Sequence, residues 1–126
     1  KLNISADNVF SVSAGAAVYE YGEQWVDELV EYLEGNADFV VNFIRENIPQ
    51  VKSYKLEGTY LMWLDFRDIF DNQEDLKDFL INKAKVGLND GTTFGEQYVG
   101  FARLNIASPR SIIEEGLKRL EKALNS

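Results

Sequence analysis

Apolar positions recur along this 126-residue chain at two periods, one helical and one extended. From Gln24 to Asn47, Val26, Leu29, Val30, Leu33, Ala37, Val40 and Ile44 follow three- and four-residue steps and form one helical stripe. Unbroken, that helix would run roughly 35 Å at 1.5 Å per residue, enough to bridge two domains. Gly35-Asn36 offers a break, but the stripe keeps its phase across the pair, so a continuous helix ended by Pro49 is expected. Its Val26/Leu29/Leu33 half is expected to need a partner domain, leaving apolar surface near the N-terminus of this chain. Ahead of it, after a polar irregular stretch over residues 1–9, Phe10–Tyr21 carries a small-residue run that predicts a close-packed helix. That helix starts near Asn8 or Ser11 and stops at Gly22; its serines and glycine make it weak alone. A third stripe, Leu76, Phe79, Leu80 and Ala84, follows a capping Asn72. The fourth is Ile113, Leu117, Leu120 and Leu124, with Glu114 and Glu115 early and Lys118, Arg119 and Lys122 late, as the helix dipole favours.

Between the helices lie extended segments. Val51–Leu56 is a short strand ended by the turn Glu57-Gly58-Thr59, and Tyr60–Phe66 is apolar on both faces, as in a central strand. Val86–Leu88 is another short strand, followed by a loop of turn formers, Asn89–Gly95. The segment from Gly100 to Ile106 alternates: Ala102, Leu104 and Ile106 face one side, and Phe101, Arg103 and Asn105 the other. Ser108 and Pro109 then read as the N-cap and first residue of the last helix. The order predicts an α+β fold: a small, mostly antiparallel sheet of three or four strands, helices over one face, and a long N-terminal connecting helix.

Composition narrows the function classes. A 45% hydrophobic and 27% charged chain suits a folded domain rather than a disordered one. Thirteen basic against twenty-one acidic residues, net −8, argues against nucleic acid or an anionic membrane as partner. Without cysteine there is neither a disulfide framework nor thiolate chemistry, and a cytoplasmic location is expected. Without histidine, the commonest general base and metal ligand is missing. No apolar run reaches membrane-spanning length. A start at Lys1 rather than methionine suggests a chain cut at its N-terminus, and the patterned last helix suggests a natural C-terminus.

Candidate chemistry is sparse. Asp65 with Asp68, and Glu114 with Glu115, read as structural carboxylates. Trp25 and Trp63 occupy core-like positions. Gly91–Gly95 lacks the lysine and helix start of a phosphate loop. Arg103 is the one site candidate, with the Gly91–Gly95 loop beside it. An arginine projecting from a rigid strand can bind a carboxylate through two parallel charge-assisted hydrogen bonds, or be a surface arginine paired with one of the many acids.

The ordered set Asn89-Asp90-Gly91-Thr92-Thr93-Phe94-Gly95 and Gly100-Phe101-Ala102-Arg103-Leu104-Asn105-Ile106-Ala107-Ser108-Pro109-Arg110-Ser111 resembles the C-terminal signature of fold-type I aminotransferases dependent on pyridoxal 5'-phosphate (PLP). Glu57–Asp65, and Phe10-Ser11-Val12 leading to Gly22-Glu23-Gln24-Trp25, agree with it. The closest resemblance is to the C–S beta-lyases, of the cystathionine beta-lyase and maltose-regulon-modulator type, and it covers essentially the whole chain. It implies that residues 1–25 are the tail end of a large PLP-binding domain and 26–126 a small C-terminal domain. It further implies that Arg103 binds the α-carboxylate of an amino-acid substrate, with Gly58, Tyr60 and Phe94 on the substrate side of the cleft. PLP is the implied cofactor and a homodimer the implied assembly. None of the eight lysines stands in the family's Ser-Lys motif, so no catalytic or cofactor-binding residue is expected here and the chain alone should be inactive. The implied parent is a C–S beta-lyase; an aminotransferase of class I/II, or a stand-alone binding or regulatory domain, are the alternatives.

Overall fold

A computed structural model describes residues 8–126, so part of the irregular lead-in expected over residues 1–9 lies outside the described residues. The chain divides after Tyr32 into two compact units. In the first, α1 (Val9–Tyr21) begins where Asn8 accepts a hydrogen bond from the Phe10 amide, and ends at Gly22. None of its residues is buried; Phe10 and Tyr19 are 82% and 95% exposed. The second helix, α2 (Glu23–Asn47), is continuous through Gly35-Asn36, as its unbroken stripe predicts. Its buried residues, Asn36, Ala37, Val40 and Ile44, all lie in its second half. Trp25, expected at a core-like position, is 65% exposed, as are the stripe residues Val26 and Val30 in part. Periodicity identifies residues that share a face, not whether anything covers that face.

The second unit holds the sheet. Strands β1 (Lys52–Ser53), β2 (Leu61–Asp65), β3 (Asn89–Asp90) and β4 (Phe101–Asn105) run in the order β1-β2-β4-β3, every pair antiparallel. The two five-residue strands are thus central, and the two-residue strands are the edges. Met62, Leu64, Ala102 and Ile106 point to one face and are fully buried there against Val40, Ile44, Leu76, Leu117 and Leu120 from the helices. Removing that apolar area from water is the main source of stability for this unit.

Helix α3 (Gln73–Asp78) starts as expected, with Asn72 accepting from the Asp75 amide at 2.9 Å. It continues as a π-helical segment, Phe79–Ala84, which the sequence pattern did not reveal. Four-residue steps drift forward around an α-helix, and wider π turns take up that drift, so Leu76, Leu80 and Ala84 all stay buried. Two strands differ from expectation. The ladder segments are Lys52–Ser53 rather than Val51–Leu56, and Asn89–Asp90 rather than Val86–Leu88. Val51, Val86 and Leu88 are apolar because they pack on the core, not because they pair. The last helix, α4 (Arg110–Leu124), begins one residue later than its Ser-Pro signal suggests. Pro109, with ψ 136°, occupies the cap position; its carbonyl accepts the first helical bond, from Ile113 at 3.4 Å, and no side chain caps the helix.

Candidate functional site

The opposite face of the sheet carries aromatic and cationic side chains. In the β2–β4–β3 ladder Arg103 sits between Trp63 and Asn89. Its Nη2 donates to Asn89 Oδ1 at 3.3 Å, and its guanidinium carbon lies 4.2 Å from the centre of the Phe94 ring. The Nε donor is buried and has no acceptor. Among the described residues, no carboxylate lies within ion-pair distance of Arg103.

Phe94 is delivered by a short 3-10 turn, Gly91–Phe94, built around Asp90. The Asp90 carboxylate accepts from the Thr92 amide (2.8 Å), the Thr92 hydroxyl (2.6 Å) and Gln73 Nε2 (2.9 Å). Gln73 Oε1 accepts from the Gly100 amide at 2.8 Å, so one side chain ties both ends of the loop. Gly91 fits because a Cβ there would meet the carbonyl oxygens of Tyr98 and Phe101. Tyr98, from the same loop, stacks on Trp63 with centroids 4.8 Å apart and planes 8° from parallel. Phe94 and Phe101 meet Trp63 edge-on at 5.4 and 6.1 Å.

A second arginine provides the contrast. Arg67 lies 4.5 Å from the Phe101 ring centre, but its fork is occupied: Nε donates to Asp65 Oδ1 at 2.9 Å and Nη2 to Oδ2 at 2.8 Å. The Arg67 hydrogen bonds hold the Asp65 carboxyl below the usual carboxylate range, against the opposing effect of its burial. Asp68 pairs with Lys52, Glu114 with Lys118 and Glu115 with Arg119, so all four carboxylates expected to be structural are bound to cations.

Of the four expected site residues, the structure brings Arg103 and Phe94 together. Gly58 and Tyr60 stand apart from them, in the turn that precedes β2, where Thr59 adopts φ +65°. Tyr60 lies three residues before Trp63, about 10 Å along the strand, and its carbonyl accepts from the Ile106 amide at 2.9 Å. Phe101 shares the Arg103 face as the strand alternation predicts, whereas Trp63, Tyr98 and Asn89 were not foreseen beside Arg103; only strand register and loop folding place them there. A cleft of about 430 Å³ between the sheet and α4 touches Arg103 and Asn89, but none of the four rings lines it. Among the described residues no cluster of three possible metal ligands exists, and no helix is long and apolar enough to cross a membrane.

Known proteins match nearly all of the chain. Cystathionine beta-lyase PatB of Bacillus subtilis is 36% identical over 118 residues, which are 94% of this chain and 30% of PatB. A PLP-bound protein of Clostridium difficile 630, described as an aminotransferase, is 44% identical with a TM-score of 0.93, across 98% of this chain and 32% of that one. Cystalysin from Treponema denticola, whose crystal structure contains PLP, gives 33% and 0.93, across 98% and 32%. The chain is related to the cystathionine beta-lyase, C–S lyase and aminotransferase branch of the fold-type I PLP enzymes. It spans about a third of the length of these relatives. No protein-family model matches it.

Proposed function

We propose that this chain is part of a PLP-dependent enzyme that cleaves the Cβ–S bond of a cysteine-derived amino acid, and that Arg103 binds the α-carboxylate of that substrate. The observation that carries the reading is the state of the Arg103 fork: held on a central strand, seated on Phe94, with no carboxylate partner and a buried Nε donor left unsatisfied. An unmatched buried donor costs about 1–3 kcal/mol, which an arriving carboxylate relieves by accepting from Nε and an Nη together after a small turn of the side chain. PatB and the matching proteins of Corynebacterium glutamicum and Staphylococcus hominis are named as lyases, which supports this reading, whereas the Clostridium difficile protein is named as an aminotransferase. Transamination is the alternative; it needs the same anchor for the same carboxylate.

On this reading the described residues contribute no lysine to the cofactor. All seven described lysines, Lys52, Lys55, Lys77, Lys83, Lys85, Lys118 and Lys122, are exposed. The cofactor belongs, on this reading, to the part of the enzyme these residues do not span; no step of the reaction is assigned to them beyond binding and orienting the substrate, and the chain alone is inactive. Residues 1–25 would be the end of the large domain and 26–126 the small domain of a homodimeric, cytoplasmic enzyme. Gly58 and Tyr60 would approach the substrate from the turn before β2.

The test is Arg103→Lys in the full-length enzyme. Lysine keeps the charge and loses the planar fork. Loss of the pair in a partly desolvated cleft is expected to cost on the order of 2–5 kcal/mol, a fall in kcat/KM of about thirty- to several-thousand-fold. Cofactor content and Tm should barely change. Activity within about threefold of the parent on amino-acid substrates would remove Arg103 as the anchor.

A further inference from the structure

Two adjacent residues of α2 are costly where they stand. Gly35 is a mid-helix glycine, about 1 kcal/mol worse than alanine. Asn36 is a fully buried amide among aliphatic neighbours, unfavourable unless its hydrogen bonds are made. Both are explained by the segment that joins β4 to α4. Asn36 Nδ2 donates to the carbonyl of Ile106 at 2.9 Å and to that of Ser108 at 3.1 Å, and its Oδ1 accepts from Arg110 Nε at 2.9 Å. The Arg110 guanidinium reaches across the bare face of Gly35, where a Cβ would lie 2.8 Å from Nη2, and stands 5.5 Å from the Phe39 ring centre. One amide therefore grips both sides of Ala107, and the first turn of α4 closes over it.

That grip falls three residues beyond Arg103, at the end of the strand that carries it. The other end of β4 is held at Gly100, whose amide donates to Gln73 and whose carbonyl accepts from Phe66 at 2.9 Å. A central strand fixed at both ends presents its side chains at a fixed height. We infer that Asn36, with Arg110 closing over it, is a positioning residue for Arg103: it ties the end of β4 to α2 and so sets where the guanidinium meets the substrate carboxylate. The inference rests on the carboxylate reading of Arg103. Satisfied buried polar groups of this kind fix one arrangement of packed elements where apolar contacts would tolerate several.

The experiment uses the full-length holoenzyme with two probes: S-methyl-L-cysteine as substrate and S-methylcysteamine, which lacks the carboxylate, as competitive inhibitor. Asn36→Ala should raise KM for S-methyl-L-cysteine roughly tenfold, the equivalent of one hydrogen bond's worth of positioning, with kcat within about twofold. The Ki of S-methylcysteamine should stay unchanged. Arg110→Ala alters an exposed residue and so keeps the fold if Asn36→Ala does not; it should shift KM in the same direction by a smaller factor. In an Arg103→Lys background both effects should vanish. Equal weakening of the two probes, or a KM unmoved by any variant that folds while Arg103→Lys raises it, overturns the positioning role alone. An Arg103→Lys enzyme with unchanged KM removes the carboxylate reading and this inference with it.

Discussion

The two faces of the sheet are built from alternate residues of the same two strands, yet they do different things. On one face Met62, Leu64, Ala102 and Ile106 disappear completely under helices. On the other, Trp63, Phe101 and Arg103 are half-buried under a loop, between two cations of which one is spent on Asp65 and one is not. Aliphatic side chains pack without directional demands, so the first face can be as tight as volume allows. Rings and guanidinium groups have preferred geometries and polar edges, so the second face can be ordered and still leave a donor unmatched. The sequence period of two makes the separation possible: a change on one face need not be felt on the other. Stability and recognition can therefore be perturbed independently.

The largest expected effect lies on the aliphatic face. Leu64→Ala removes a fully buried side chain from the middle of a central strand and should cost about 3–5 kcal/mol. Urea unfolding should show a large drop in midpoint with little change in slope. A loss below about 1 kcal/mol would mean that this face is loosely packed. Next comes the pair on the aromatic face. Arg67→Ala strands the Asp65 carboxylate, whose side chain is only 4% exposed while that of Arg67 is 59% exposed. The expected loss of stability, read as a lower urea midpoint, is smaller than that of Leu64→Ala, because one partner of the pair is already wet.

The same pair predicts a pH dependence. The Asp65 carboxyl is held below its ordinary value in the folded protein, chiefly by the Arg67 side-chain hydrogen bonds. Its contribution to stability is therefore present above the ordinary carboxylate pKa near 3.9 and is lost as pH falls through the lowered folded value. The Tm difference between the parent and Asp65→Asn should be full at pH 6 to 7 and shrink as acid is added, within roughly the range below pH 4. A difference constant down to the acid limit would show that the carboxylate charge is not what Asp65 contributes.

Features that depend on local chemistry were readable from the sequence. Asn8, Gly22, Asn72 and Pro49 bound their helices as expected, because a cap or a break acts within a few residues. The continuity of α2 followed from the phase of its stripe. Pairing was less readable: Val86 and Leu88 look like a strand, but the ladder to β4 forms at Asn89 and Asp90, where the backbone reaches Arg103 and Ala102. Arg103 stood out from its strand alternation, and Phe94 from resemblance. Trp63, Tyr98 and Asn89 did not, because their place beside Arg103 is created by register and by a loop folding back over the sheet. Asn36 was hidden for the opposite reason. In a helical stripe it reads as a possible break, and only the carbonyls of Ile106 and Ser108 show why it is there.

The smallest expected effect separates two jobs that Phe94 performs. Its ring lies under the Arg103 guanidinium at 4.2 Å and also meets Trp63 edge-on at 5.4 Å. Leucine can fill much of the volume but offers no ring face to the cation. A cation–π contact at a partly exposed site is worth about 0.5–1 kcal/mol, so Phe94→Leu should weaken binding of a carboxylate-bearing substrate by roughly two- to fivefold in the full-length enzyme. Because Phe94 is 40% exposed, its removal should lower stability far less than Leu64→Ala does. The direction of the binding change decides what the ring is for. If Phe94 orients the guanidinium for the carboxylate, affinity falls; if the ring instead competes with the carboxylate for the cation, affinity rises. The hydrogen bond from Arg103 to Asn89 already fixes one edge of the fork, and the ring beneath fixes its plane. A fork fixed in both respects loses less freedom when the carboxylate arrives, so weaker binding by Phe94→Leu is the expected outcome.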